Sequence, residues 1–119
     1  MLVNFSNHGV KGWTPEQLAA AENAWKNVED MAFPNVSPSA TKQEVEALAQ
    51  ASVDAIMEKC PDAVMVQGEM TLVFSVVSKL KEMGVTVVAA TTERVVEIKE
   101  VNGETIKTSV FKFIQFREY

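Results

Sequence analysis

Four times along this chain a short apolar run appears, and between the runs lie longer amphipathic segments with recognisable helix caps. The runs are Leu2-Val3-Asn4-Phe5, Met31-Ala32-Phe33, Ala63-Val64-Met65-Val66 and Val85 to Ala90. Each is too short for a buried helix and reads as a strand. The first helix is expected to start at Pro15. Thr14 caps it, Pro15 suits the first helical position, and Gln17 completes a capping box. Leu18, Ala21, Trp25 and Val28 recur at helical spacing and mark its buried stripe. The second helix begins at Thr41, with Glu44 reaching back to the cap and Val45, Leu48, Ser52 and Ile56 on one side. It ends near Lys59, because Pro61 disfavours the helical conformation of Cys60. The third runs from about Thr71 to Met83, with Leu72, Val76, Leu80 and Met83 inward and Gly84 as its terminator.

The pattern changes after Thr91-Thr92-Glu93, which reads as a loop. Arg94 to Val101 and Glu104 to Phe116 are rich in β-branched and aromatic residues, and Asn102-Gly103 between them is a strong two-residue hairpin signal. The hairpin pairs Val101 with Glu104, and its tip mixes polar and apolar residues on both faces, as an exposed or interface-forming tip would. The element order therefore predicts an α/β chain: a small Rossmann-like three-layer domain over residues 1–119, its mostly parallel sheet extended at one edge by a C-terminal β-hairpin. A length of 119 residues fits one such domain.

Composition excludes several functions. A net charge of −5 argues against general DNA or RNA binding, which rests on phosphate neutralisation, but leaves room for a small anion held by a few local donors. No apolar run approaches the ~20 residues of a membrane span. One cysteine, Cys60, and one histidine, His8, make neither an intramolecular disulfide nor a four-ligand zinc site. The N-terminus lacks the pattern of a signal peptide, so the cytoplasm is the expected location, with no metal and no cofactor.

In an open parallel sheet, ligands bind at the carboxyl ends of the strands. That rule collects Ser6, Asn7, His8 and Lys11 after the first strand, Gly68, Glu69 and Thr71 after the third, and Thr91, Thr92 and Arg94 after the fourth. His8, alone in a polar loop, has the side chain suited to proton transfer or phosphate contact. Gly68 would let a phosphate approach the backbone at the start of the third helix, where free N–H groups favour an anion; Thr71 is equally apt as a plain helix cap. Glu69 would act as a base or bind a ribose hydroxyl. Arg94 suits bidentate phosphate contact, or pairs with Glu93 or Glu97. Trp13 either walls a pocket or packs at the helix start. There is no Walker loop, no three-glycine dinucleotide fingerprint and no nucleophile elbow.

The opening Asn4-Phe5-Ser6-Asn7-His8 followed by Trp13, the stretch from Val64 through Gly68 to Thr71, and Ala89-Ala90-Thr91-Thr92-Glu93-Arg94 resemble small Rossmann-like CRISPR-associated accessory proteins, the group of the ring nucleases and their CARF-like kin. Gly9 follows His8 directly where those proteins have Pro-Gly. The resemblance implies a homodimer that binds a cyclic oligoadenylate second messenger and cleaves it without metal. Ser6, His8, Thr71 and Arg94 would then position and neutralise phosphate, and His8 or Glu69 would move the proton. Two other readings stand beside it. One is a binding module of the same fold without chemistry. The other is an interaction protein whose hairpin builds a dimer through Phe111, Phe113, Ile114, Phe116 and Tyr119.

Overall fold

The computed structural model describes residues 1–119. Five strands, β1 (Leu2–Ser6), β2 (Val28–Ala32), β3 (Ala63–Gln67), β4 (Thr86–Val101) and β5 (Glu104–Glu118), form one sheet in the order β2-β1-β3-β4-β5. The first four run parallel, and β5 returns antiparallel beside β4. Three helices connect them: α1 (Pro15–Trp25), α2 (Lys42–Glu58) and α3 (Met70–Glu82). The expected α/β class, the mostly parallel sheet and the terminal hairpin are all present.

The strand order carries a consequence for the layers. The chain moves one way across the sheet from β1 to β2, then the opposite way from β2 to β3 and β4. Right-handed crossovers therefore place α1 on one face and both α2 and α3 on the other. The core divides accordingly. Val3, Phe5, Val64, Val66 and Val87 pack against Val45, Ala49, Val53 and Ile56 of α2 and Leu72, Val76 and Leu80 of α3. Leu2, Ala63, Met65 and Val88 project to the other face and meet Ala21 of α1. Strand β1, flanked on both sides and covered on both faces, is buried along its whole length.

Local chemistry explains the boundaries. The Thr14 hydroxyl accepts from the Gln17 N–H at 3.2 Å, but the Gln17 amide turns instead toward Met65 Sδ, so only half of the expected capping box forms. Thr41 and Glu44 form the full box. Lys26 takes a φ of 74° and ends α1 there, so Val28 lies in β2 and not on the helical stripe. The second strand thus starts earlier than Met31. Its Glu29 and Asp30 are tolerated because β2 is an edge strand. Phe33 lies just beyond it, buried, with its ring 4.9 Å from that of Phe5. Cys60 leaves α2 with a φ of 50°, outside the right-handed region that the following proline disfavours.

The largest departure from the sequence reading concerns Thr91-Thr92-Glu93-Arg94. This is no loop: β4 runs unbroken for 16 residues, from the parallel sheet into the hairpin. β4 and β5 leave the body as an arm, and every residue from Thr92 to Lys112 is exposed. The radius of gyration is 17.0 Å, against about 13–14 Å for a compact chain of this length. At the tip, Asn102 and Gly103 take φ of 53° and 80°, the conformation a two-residue turn requires.

A bulge fixes the root of the arm. Thr91 pairs with Gln115 and Thr92 with Phe113, which leaves Ile114 as the extra residue on β5. The extra residue lets Phe113 and Phe116 share the α1 face. Their rings lie 5.0 Å apart, and Phe116 also meets Trp25 at 5.4 Å and Trp13 at 6.0 Å. Phe113 is buried and Phe116 half-buried within the chain's own fold, so these two are not free to build an interface. Tyr119 is likewise engaged, its hydroxyl donating to the Val66 carbonyl at 2.6 Å. Of the residues expected at an interface, Phe111 and Ile114 remain open, and Tyr119 is exposed although its hydroxyl is engaged.

Gly68 is exposed beside α3, yet its α-carbon leaves no room for a side chain. A Cβ there would lie 2.6 Å from Cζ of Phe33, with two further ring atoms at 2.7 Å. The Phe33 ring, itself buried, lies against the place a Cβ would take. Gly68→Ala is therefore expected to destabilise the fold by about 1–3 kcal/mol through overpacking, read as a lowered urea midpoint. In a Phe33→Leu background the penalty should shrink, which separates the contact from any general loss of glycine flexibility.

Candidate functional site

In this strand order the switch point falls between β1 and β3, where connections leave in opposite directions. On the α1 face of that point the structure holds an open cleft of about 550 Å³. One wall is the loop after β1, containing Asn7, His8, Gly9 and a 3-10 turn at Val10–Gly12. Trp13 and Gln17 at the start of α1 close the side. The floor is made of the residues of β1, β3 and β4 that face α1: Ser6, Met65, Gln67, Ala90 and Thr92.

The loop is held from beneath by polar groups that β1 carries into the interior. Asn4 is 1% exposed and Ser6 6%. Burying such groups is costly unless they are hydrogen-bonded, and here each is. Asn4 Nδ2 donates to the His8 carbonyl and to Asp30 Oδ1, both at 2.8 Å. Ser6 Oγ lies 2.7 Å from Asn4 Oδ1 and accepts from the His8 N–H at 3.2 Å. Trp13 Nε1 donates to the same His8 carbonyl at 3.2 Å, and Asp30 accepts from the Val10 N–H at 3.0 Å. The His8 backbone is thus pinned, and its imidazole is left exposed on the cleft rim. Trp13 walls the cleft, and its ring packs against Phe116 of β5.

The candidate residues fall into three groups. Ser6, Asn7, His8, Lys11 and Thr92 meet at this cleft. Ser6, however, is spent on the network below it. Gly68, Glu69 and Thr71 belong to the opposite face, where α3 packs, and none of them lines the cleft. The expectation that α3 offers its N-terminus to an anion does not hold, because Glu69 fills that place as the helix cap. Its carboxylate accepts from the Thr71 N–H at 3.0 Å, the Leu72 N–H at 2.9 Å and the Thr71 hydroxyl at 2.7 Å. The Thr71 hydroxyl, followed by the two backbone donors, holds the Glu69 carboxyl below the ordinary glutamate range. Neither Thr71 as cap nor Glu69 as base describes this turn.

Thr91 and Arg94 form the third group, on the arm. The Thr91 hydroxyl donates to the Gln115 carbonyl at 3.2 Å. Arg94 reaches neither Glu93 nor Glu97; its Nε and Nη2 donate to Ser109 Oγ at 3.2 and 2.9 Å. Sequence reasoning passed over Gln17 and Gln67. The Gln67 amide bridges β3 to β4 beyond their last paired residues, accepting from the Ala90 N–H at 3.1 Å. No group of three or more His, Cys, Asp or Glu side chains is arranged to hold a metal ion, and no helix is long and apolar enough to cross a membrane.

No acidic side chain lines the cleft, a property it shares with the cavity beside α3 where Lys81 lies. The chain carries five more acidic than basic side chains, yet Lys11 is the one fixed charge of the cleft. The arrangement offers an ammonium, an imidazole, amides and hydroxyls around a partly apolar floor. Such a set suits a polar or anionic small molecule with a flat apolar part.

Two measurements test this account. Asn4→Ala should cost about 1–3 kcal/mol, since it orphans the buried groups that Asn4 pairs, and amide exchange of residues 7–13 should accelerate more than that of α2. Glu69→Gln tests the cap. Because the folded carboxyl titrates below its ordinary value, its stabilisation is complete above the unfolded pKa and is lost as pH falls through the folded one. The wild-type advantage over Glu69→Gln in urea midpoint should be full at neutral pH and shrink as pH falls below the ordinary glutamate range.

No curated protein and no solved structure matches the chain. A family model does, over residues 1–117, and thus takes in the β1 loop, the cleft floor and the whole arm. By that match the chain belongs to the Uncharacterized protein MJ1673 family.

Proposed function

We propose that the cleft binds a small anionic ligand of the nucleotide class, with a cyclic oligoadenylate second messenger as the specific candidate. The observation that carries this reading is the carboxylate-free cleft at the switch point of an otherwise acidic chain. Lys11 would neutralise phosphate. His8 and Thr92 would donate to its oxygens, and the Trp13 and Met65 side chains would support a base. Asn7 and the amides of Gln17 and Gln67 supply donors and acceptors for a base edge or ribose.

Binding is better supported than cleavage. Metal-independent cleavage needs a ribose hydroxyl held in line with phosphorus and a group to move its proton. Glu69 is engaged as a helix cap on the other face, so that task would fall to His8 alone. Arg94 is set on the arm, which leaves the cleft one basic side chain beside the imidazole.

A thermal-shift and calorimetric screen of cyclic tetra- and hexa-adenylate, linear adenylates and mononucleotides in metal-free buffer tests the reading. Binding should weaken roughly tenfold in Lys11→Ala, the loss of one charge-assisted contact, and should fall with added salt. Gly68→Ala, on the opposite face, should leave affinity unchanged at temperatures where it is folded. If no member of the panel binds, or Lys11→Ala binds as tightly as wild type, the cleft is not a nucleotide site. Product formation that His8→Ala abolishes would add catalysis to binding.

A further inference from the structure

The arm has no partner within the chain. Two-stranded hairpins are marginal in water unless something packs on them or extends them, and this one exposes Val96, Ile98 and Phe111 on one face and Val95, Val101, Ile106 and Val110 on the other. Its β5 edge is one of the two free edges of the sheet, the other being β2. From Glu104 to Lys112 the β5 edge contains no proline and no glycine, so its row of backbone donors and acceptors is unbroken, and its charges decide which strand can pair with it.

Charge distinguishes the arm from the body. Between Glu93 and Lys112 it carries four acidic side chains, Glu93, Glu97, Glu100 and Glu104, and four basic ones, Arg94, Lys99, Lys107 and Lys112. The arm is neutral, so the whole excess of −5 lies on the remainder. Two copies would repel through their bodies and meet without net repulsion through their arms.

We infer that the arm's occupant is the arm of a second copy of this chain. β5 pairs antiparallel with its two-fold mate about Thr108, and the two sheets join into one. This register matches side chain to side chain. Glu104 stands opposite Lys112 of the partner subunit, and Ile106 opposite Val110 of the partner subunit. Thr105 faces Phe111 of the partner subunit, Lys107 faces Ser109 of the partner subunit, and Thr108 meets its own copy. No like charges oppose each other, and the β-branched pair falls on one face.

The register extends to the next strands. Glu93 already lies opposite Lys112, so each end of the paired segment becomes an alternating row of Glu93, Lys112 and the partner's Glu104. Val95 already lies opposite Val110, so Ile106 of the partner subunit completes an apolar row across the junction. Matched cross-strand pairs of this kind are the unit of sheet stabilisation. The arm interface is separate from the cleft, and its test does not depend on what the cleft binds.

The experiment uses the full chain and two charge reversals, Glu104→Lys and Lys112→Glu, with mass measured by light scattering on a sizing column. Wild type should be a dimer. Each variant alone opposes like charges at both ends of the junction, and its self-association should weaken roughly tenfold or more. Mixing the two variants restores opposite charges at both ends. The mixture should dimerise with close to wild-type affinity and yield the mixed pair by native mass spectrometry. A variant that merely misfolds cannot be rescued in this way. A monomeric wild type, variants that remain dimers, or variants that fail to associate when mixed would each overturn the proposal.

Discussion

The structure depends on a strand that is buried on all sides and yet carries polar groups. β1 has a neighbour at each edge and helices over both faces, so nothing on it reaches water cheaply. Asn4 and Ser6 must find partners inside, and the partners they find are the backbone of His8 and the carboxylate of Asp30. A half-satisfied network would cost more than an apolar strand. The loop therefore takes the path that satisfies them all, which sets the wall of the cleft. Asp30, an edge-strand residue at first sight unsuited to β structure, holds the network from the other side by accepting from Asn4 and Val10.

The same logic shows how much of the site was legible. Strand–helix order and cap residues located β1, α2 and β3 to within a residue or two, because burial, periodicity and capping agree there. The rule that ligands gather at carboxyl ends grouped Ser6, Asn7, His8, Lys11 and Thr92, and these five line one cleft. It also pooled Gly68, Glu69 and Thr71 with them, although crossover handedness separates the two sets by the thickness of the sheet. That separation was derivable once β2 was placed outside β1, since the reversal of direction dictates opposite faces. What was not derivable was the plugging of the β3–α3 turn. A Gly-Glu-x-Thr turn reads equally well as a phosphate cradle or as a self-capped helix start. Only the positions of the Phe33 ring and the Glu69 carboxylate decide between them.

Thr91-Thr92-Glu93-Arg94 was misread for a different reason. Polar residues between two apolar runs suggest a loop when each run is taken as a separate strand. Yet threonine favours extended backbone, and alternation holds through the segment if one face of it is open to water. Thr92 lies on the floor of the cleft and Arg94 crosses to Ser109, so the polarity belongs to a strand leaving the body. The bulge at Ile114 is invisible to a periodicity argument, because it shifts the face of the residues that follow it. Phe113 and Phe116, three apart, could not share a face of a regular strand, and only their common packing reveals the bulge.

That bulge connects the two surfaces of the molecule. Phe113 and Phe116 bury the root of the arm against Trp13 and Trp25, and Trp13 is also a wall of the cleft whose indole N–H holds the His8 carbonyl. Strand β4 contributes Ala90 and Thr92 to the floor of the cleft and then continues into the arm without a break. The cleft and the arm are thus built on one strand and one aromatic cluster. A chain of this size rarely maintains a long exposed hairpin without something to cover it, since exposed edges and apolar faces invite aggregation. Here the balanced charges of the arm and the anchoring of its root make the exposure a built feature of the fold.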